Sequence, residues 1–202
     1  MDYAALEFNT AGGGMTPVVQ KLAAFQRAGL LEHLLGLAVE DRRLRFGMLM
    51  QDEAIARYVD KIDFSSDKVF GIVGLDLRLI GAAHLALNRE AGFAELGLSV
   101  NASARGKGHG FALLQRAKLH AVNLGFRTLF MCCLAENKTM VHLAQRAGLK
   151  VVVEQGEVDA RLRLDATSFG GVALEAVEDQ LALMDLFWKQ QLQWLPAPVR
   201  AA

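Results

Sequence analysis

The residues of this chain whose types and spacing most clearly suggest a binding site lie between Arg105 and Gly110, in the sequence Arg-Gly-Lys-Gly-His-Gly. Three glycines at alternate positions allow the backbone to approach a ligand closely and to adopt positive φ angles. A helix is predicted to begin here, and the first amides of a helix are unpaired and carry the positive end of its dipole. Together with Arg105 and Lys107, these amides predict a site for a phosphate or diphosphate group.

Two common nucleotide-binding motifs do not match this loop. A Walker loop ends in Gly-Lys-Ser/Thr, whereas Gly108 follows Lys107 here and supplies no hydroxyl for magnesium. A dinucleotide fingerprint that begins at Gly106 requires a glycine where Phe111 stands. The loop therefore favours a ligand with a phosphate group, bound neither as in a Walker loop nor as in a dinucleotide fingerprint.

The elements that must position the loop follow from the hydrophobic pattern. Residues 68–75, 77–87 and 93–100 predict an antiparallel meander of three strands, and the loop then opens a helix that ends at Leu124. A buried strand is predicted over 128–134, a helix capped by Asn137 runs to Ala147, and two short strands cover 151–153 and 161–164. Upstream, the sequence predicts a strand over 18–22, helices over 25–37 and 51–62, and a charged connection over 41–47. The fold class that these elements predict is α/β (α+β), with a mostly antiparallel central sheet and flanking helices.

The C-terminal part of the chain predicts one long helix over 172–195. Its apolar residues recur at spacings of three and four, which indicates that one face is buried. They are Leu174, Val177, Leu181, Met184, Trp188, Leu192 and Leu195. The partner of this face is either the domain's own core or a second subunit, and because exposed tryptophans are costly the sequence predicts a homodimer through this helix.

Composition narrows the function classes. The chain has 202 residues, its mean hydropathy is +0.23, and its 22 basic and 22 acidic residues give a net charge of zero. No basic excess is present for nucleic acid or anionic lipid, and no signal peptide or apolar run of about 18 residues is visible. The five histidines lack metal-ligand spacing, and adjacent Cys132 and Cys133 cannot form a strain-free disulfide. We expect a cytoplasmic protein with no metal, no membrane contact and no nucleic-acid partner.

The loop, its flanking strand and the downstream helix resemble those of the GCN5-related N-acetyltransferase (GNAT) family. The pattern Arg/Gln-x-x-Gly-x-Gly is met by Arg105, Gly108 and Gly110, after the strand sequence Ala-Glu-Leu-Gly and before the helix from Asn137 to Gly148. The resemblance covers residues 18–164. It implies a GNAT-like acyl-CoA N-acyltransferase fold, in which two parallel strands ending near Val100 and Leu134 splay at the cofactor site. The resemblance places an acetyltransferase domain over 15–168. The glycine run Gly12–Gly14 predicts a flexible arm over 1–14, and the predicted C-terminal helix gives a helical extension over 169–202.

Acetyl-CoA is the donor that this resemblance implies. The diphosphate of coenzyme A is expected on the loop, and the pantetheine arm along the end of the preceding strand. The residues that match these positions are Leu98, Ser99, Val100, Arg105, Gly106, Lys107, Gly108, His109 and Gly110. Asn137 matches an asparagine that often faces the pantetheine or the acceptor, and pure helix capping is the competing role for it.

The catalytic assignment is less complete. Glu95 matches a strand glutamate that acts as the base in some members; if it points away from the splayed strands it is an ordinary strand carboxylate. Many members carry a tyrosine acid where Ala144 stands here. Cys132, Cys133 and His142 are substitutes for which packing or surface roles are favoured. Three arginines, Arg42, Arg43 and Arg45, favour either an anionic acceptor or a solvated loop.

The expected function is direct transfer of an acetyl group from acetyl-CoA to a small-molecule primary amine within a ternary complex. Two alternatives stay open: acetylation of a protein or peptide, which needs an open groove, and a non-catalytic CoA-binding module, which the alanine at position 144 favours.

Overall fold

The computed structural model describes residues 17–194. The arm expected over 1–14, and Leu195 at the end of the predicted C-terminal helix, lie outside this range. No helix within 17–194 combines the length and the apolar character that crossing a membrane requires.

Residues 17–194 form seven strands and six α-helices. The strands are β1 (Gln20–Leu22), β2 (Lys68–Val73), β3 (Leu79–Asn88), β4 (Phe93–Val100), β5 (Thr128–Leu134), β6 (Lys150–Glu154) and β7 (Glu157–Arg163). The helices are α1 (Arg27–Leu35), α2 (Val39–Phe46), α3 (Asp52–Lys61), α4 (His109–Asn123), α5 (Lys138–Arg146) and α6 (Phe169–Gln193). With the exception of α2, each of these elements was expected from the hydrophobic pattern.

All seven strands form one sheet in the order β1-β2-β3-β4-β5-β7-β6, and only β4 and β5 are parallel. The predicted mixed, mostly antiparallel sheet is confirmed. The parallel ladder has three residue pairs and ends at Glu95 opposite Phe130. Beyond it, β4 stays paired with β3 as far as Val100 while β5 stays paired with β7 as far as Leu134. The two strands therefore separate into a fork, which is the splay that the resemblance implied.

Helices cover both faces of the sheet. On one face α4 and α5 enclose a core that includes Leu98, Leu113, Leu129 and Met131. On the other face α1 and α3 enclose a second core, in which Ile55 and Val69 are fully buried. Alternate residues of β4 point to opposite faces, so Leu98 faces α4 while Glu95, Gly97 and Ser99 face the α1–α3 side.

The charged segment over 41–47 is a helix, so the predicted connection was wrong. Glu40 and Asp41 occupy the first turn of α2, Arg43 and Arg45 its last turn, and this order complements the helix dipole. Gly47 ends the helix in the left-handed conformation, with φ of 75°. The helix contacts β4 and β5 beside the fork, so its formation depends on tertiary contacts that a charge-rich sequence does not reveal.

The long helix α6 is attached to the domain by its polar face. Arg116 of α4 is only 2% exposed and forms ion pairs with Glu175, Glu178 and Asp179 of α6. The apolar residues that the sequence predicts to be buried are mostly on the outside: Val177, Leu181, Met184 and Trp188 are each 51–62% exposed. The sequence left two partners open for this apolar stripe, the domain's own core or a second subunit. Because the stripe is exposed, the domain's own core does not cover it.

Candidate active site

The loop between β4 and α4 presents unpaired backbone amides to an open space. Gly106 and Gly108 have φ angles of 75° and 80°, which an L-residue adopts only with strain. Gly108 directly precedes α4, and no side chain caps that end of the helix. The first amides of α4 are thus available to a negatively charged ligand, as the glycine spacing predicted.

A cavity of about 270 Å³ joins this loop to the fork. Its walls come from the end of β4, the loop, the first turn of α4, one side of α5 along its length, and one side of α2. Nine of the ten residues predicted to bind the donor line it: Leu98, Ser99, Val100, Arg105, Gly106, Gly108, His109, Gly110 and Asn137. Lys107 is exposed and is not part of the lining.

Side chains of the loop are held by neighbouring groups. Arg105 donates from Nε to the Val100 carbonyl at 3.2 Å and pairs with Asp41 of α2 at 2.7 Å. The His109 ring donates from Nδ1 to the Ala104 carbonyl at 2.7 Å. These contacts fix the loop against both β4 and α2, so its amides are already in position when a ligand binds.

Asn137 caps a helix and also lies on the cavity wall. Its side-chain oxygen accepts from the Met140 amide at 3.1 Å and so caps α5, and the residue also lines the cavity. Its amide nitrogen has no partner among the described residues.

Glu95 lies at the fork but outside this cavity. It is the last residue of β4 that pairs with β5, and it is exposed on the α1–α3 face. There it lines a second, open hollow together with Asp67 and Arg89. Glu95 thus stands on the side of the fork opposite the glycine loop.

The other candidate catalytic positions, Ala144, Cys132, Cys133 and His142, lie where they do not favour catalysis. Ala144 is fully buried in the α4–α5 core, so a larger side chain there could not reach the cavity without repacking. Burial raises the pKa of Cys133 to about 11, and burial together with nearby carboxylates raises the pKa of Cys132. His142 is exposed and does not line the cavity.

A chain of hydrogen bonds on the α1–α3 face was not expected from the sequence. Arg45 donates from Nη2 to Tyr58 Oη at 3.1 Å, and Tyr58 Oη lies 2.7 Å from His84 Nδ1. His84 Nε2 lies 3.1 Å from Asp67 Oδ2. Because a carboxylate only accepts, His84 Nε2 donates to Asp67. Burial lowers the pKa of His84 and so favours the neutral ring, whose Nδ1 accepts a hydrogen bond from the Tyr58 hydroxyl.

Arg45 is the end of this chain nearest the fork. Its guanidinium lies flat against Gly97 of β4, so closely that a Cβ at Gly97 would lie 2.5 Å from Arg45 Cζ. Arg45 also lines the cavity. The four residues come from α2, α3, β3 and the turn before β2, and no motif in the sequence connects them.

Among residues 17–194, no three His, Cys, Asp or Glu side chains converge as a metal site requires.

Comparison with known proteins places these features in one family. The family model described as acetyltransferase (GNAT) family matches residues 28–149, more than half of the chain. No curated protein sequence matches.

Solved structures with the same fold include several acetyltransferases. The GNAT domain of PAT from S. lividans is 19% identical, with a TM-score of 0.62, and the match covers 72% of this chain and 89% of that one. A phosphinothricin acetyltransferase from Sinorhizobium meliloti in complex with acetyl-CoA is 17% identical, with a TM-score of 0.58 and coverage of 77% and 95%. A ribosomal-protein-alanine N-acetyltransferase from Brucella melitensis is 15% identical, with a TM-score of 0.55 and coverage of 72% and 99%. At these identities the likeness concerns the fold.

Proposed function

The chain belongs to the GNAT acetyltransferase family, and from this we propose that it transfers the acetyl group of acetyl-CoA to the primary amine of a small molecule. The observation that carries the proposal is the continuity of the glycine loop with the fork. One cavity contains both the free amides before α4 and the end of β4 that has no β5 partner. A diphosphate at the first and an extended pantetheine arm along the second require this arrangement.

Donor binding uses mostly the backbone. The amides of Gly106 to Gly110 and the α4 dipole favour a diphosphate, with Arg105 as a nearby cation. The unpaired edge of β4 over 98–100 can hydrogen-bond to the amides of pantetheine, as an added strand would. Asn137 can reach the same arm from α5.

Transfer to the amine proceeds by direct attack. An ammonium group with a pKa near 10 must first lose a proton, and we propose Glu95 as the group that accepts it, directly or through water. The thiolate of coenzyme A, a thiol with a pKa of about 8.5, leaves without an obligatory acid. A cysteine-bound acyl intermediate is disfavoured because the pKa values of both thiols are raised.

Two other functions stay as candidates. Structures of the same fold include enzymes whose names specify a small-molecule acceptor and a ribosomal protein, so a peptide acceptor is the first alternative. A non-catalytic CoA-binding module is the second, supported by the alanine at position 144. Helix α2 forms one wall of the cavity beside the fork, and this wall favours a small acceptor over a peptide.

Donor titration and thiol release together test the proposal. We expect calorimetry to detect coenzyme A binding, and thiol release from acetyl-CoA to depend on an added amine. Glu95→Gln should lower kcat at neutral pH by about 10²–10⁴-fold, the usual contribution of a general base, and leave donor affinity unchanged. Glu90→Gln, an exposed residue in the β3–β4 turn, is the matched control. Full activity of Glu95→Gln would dismiss Glu95 as the base, and donor binding without turnover on amines or peptides would favour the binding module.

We also propose a homodimer through α6. The apolar stripe of Val177, Leu181, Met184 and Trp188 is uncharged and is centred on the middle of a 25-residue helix, which is about 37 Å long. Such a stripe can pair with the stripe of a second copy in antiparallel orientation, because a two-fold axis places the N-terminal end of one helix beside the C-terminal end of the other. Pairing would remove these side chains from water.

Light scattering tests the dimer. We expect twice the monomer mass for the full chain, and a monomer for Leu181→Glu, because a carboxylate would then be buried at the centre of the pairing. Gln190→Glu adds the same charge at an exposed position away from the stripe and should remain dimeric. A monomeric mass for the unchanged protein at high concentration would contradict the proposal. The cytoplasmic location and the domain division at residue 168 stay predictions.

A further inference from the structure

The three arginines of α2 are in different electrostatic situations. Arg42 is fully engaged: it donates to the Leu37 and Leu35 carbonyls and pairs with Asp52 at 2.5 Å. Arg43 pairs with Glu40 at 2.7 Å and with Glu136. Arg45 has no carboxylate partner among the described residues, and its one hydrogen bond is to Tyr58.

Arg45 is also the arginine of α2 whose guanidinium reaches the fork. It is half-buried, it lines the cavity, and it lies over Gly97. A guanidinium has five N–H donors, so four remain for a ligand. An uncompensated cation in a partly desolvated pocket favours an anion, and the planar array of donors favours a carboxylate bound by two parallel hydrogen bonds.

The hydrogen-bond chain behind Arg45 holds the guanidinium in place. Asp67 fixes the tautomer of His84, His84 accepts from Tyr58, and the Tyr58 oxygen is left with lone pairs that accept from Arg45. The Phe46 and Tyr58 rings lie 4.9 and 5.8 Å from Arg45 Cζ and favour a cation there. Tyr58 is therefore a positioning residue for Arg45.

We propose that Arg45 binds a carboxylate of the acceptor, so that the substrate class is a small amino acid or another amine that carries a carboxylate close to its amino group. This rests on the proposed acetyl transfer and specifies its acceptor. Glu95 and Gly97 are two residues apart on the same face of β4, which separates them by about 6.6 Å. The Glu95 carboxylate can attract the ammonium group of the acceptor, and the Arg45 guanidinium can attract the acceptor's carboxylate. Both side chains lie at the end of the parallel ladder, in the arrangement that a short zwitterion requires.

Matched acceptors test this directly. Amino acids are compared with their own primary amides, which keep the amine and lose the carboxylate, in a thiol-release assay with saturating acetyl-CoA. We expect the free acids to be at least 10-fold better in kcat/KM, and Arg45→Met to reduce this preference to about one. Tyr58→Phe should raise KM for the acids several-fold with little change in kcat, because it loosens the position of Arg45 without removing its charge.

Arg57→Met is the control, since this arginine is exposed on α3 one residue before Tyr58. It removes the same charge and should keep the preference for acids. The proposal is overturned if the unchanged enzyme uses amides as well as acids, or if Arg45→Met lowers both classes equally, which would assign Arg45 to the thioester. Calorimetry with coenzyme A separates these outcomes from a failure of the proposed function, because acetyl transfer without carboxylate preference leaves donor binding and thiol release intact.

Discussion

Replacing Arg116 with methionine is expected to destabilise the protein by about 3–5 kcal/mol, because it leaves acidic side chains packed without their cation. Glu175 and Glu178 lie 2.8 and 3.2 Å from the Arg116 guanidinium, and Asp179 is its third partner. The methionine preserves most of the packing against Phe70, over whose ring the guanidinium lies at 5.3 Å. Urea denaturation measures the loss, and hydrogen exchange should show that α6 is the first element to open.

Arg78→Met is the control for this variant. Arg78 also pairs with a glutamate, Glu32 at 3.4 Å, but both side chains are more than half exposed, and such pairs contribute about 0–1 kcal/mol. Equal effects of the two variants would show that the Arg116 cluster does not hold α6.

Acid titration checks the same cluster in the unchanged protein. Burial alone would raise the pKa of Glu175, but hydrogen bonds from His120, Asn123 and Arg116 outweigh it and lower that pKa to about 2. A carboxyl whose folded pKa lies below its ordinary value of 4.5 stabilises the fold above pH 4.5, and this stabilisation is lost as the pH falls towards 2. Burial raises the pKa of the neighbouring Glu178, which offsets part of the effect.

Replacing Gly108 with valine is expected to weaken coenzyme A binding by about 100-fold or more. A β-branched residue avoids the φ of 80° that Gly108 adopts, so the peptide groups on either side rotate and the amides before α4 no longer converge. Calorimetry with coenzyme A measures the affinity, and it requires no acceptor.

Gly125→Val matches this change at the other end of α4. Gly125 has a φ of 81°, and, as at Gly108, an added Cβ would meet no atom within 4 Å. Both variants should therefore lose similar stability, on the order of 1–2 kcal/mol, while donor affinity falls only for Gly108→Val. If both bind coenzyme A normally, the loop is not the diphosphate site.

The sequence predicts those features that depend on residues close together in the chain. Gly125 and Gly148 end α4 and α5 in the left-handed conformation, and Asn137 caps α5, as the local sequence indicates. The meander also follows from short patterns, whereas the fork was implied by the family resemblance and not by any local pattern. The glycine pattern and the resemblance together named nine residues that line one cavity, whereas Lys107, named with them, does not line it.

Features that depend on distant residues could not be predicted. The helix α2 forms against the fork, and its charges suggest a loop when they are considered alone. Tyr58 and His84 meet only because α3 packs on β3, so neither residue has a sequence signal. The polar face of α6 meets the domain, above all through the ion pairs with Arg116 of another helix. The periodicity of α6 predicts that one face is buried, but it leaves open which surface covers that face.

The parallel ladder between β4 and β5 has further importance for how the sheet moves. Three residue pairs join β1–β4 to β5–β7, so the sheet consists of two half-sheets with a short junction. A small rotation about that junction would change the width of the fork without breaking a ladder hydrogen bond in either half, although it would shift the contacts of α2 with β4 and β5. A donor that lies along both edges would lock the angle between the halves, and a longer acyl chain would require a wider angle; acyl-chain selectivity is then a question of how far the junction can turn.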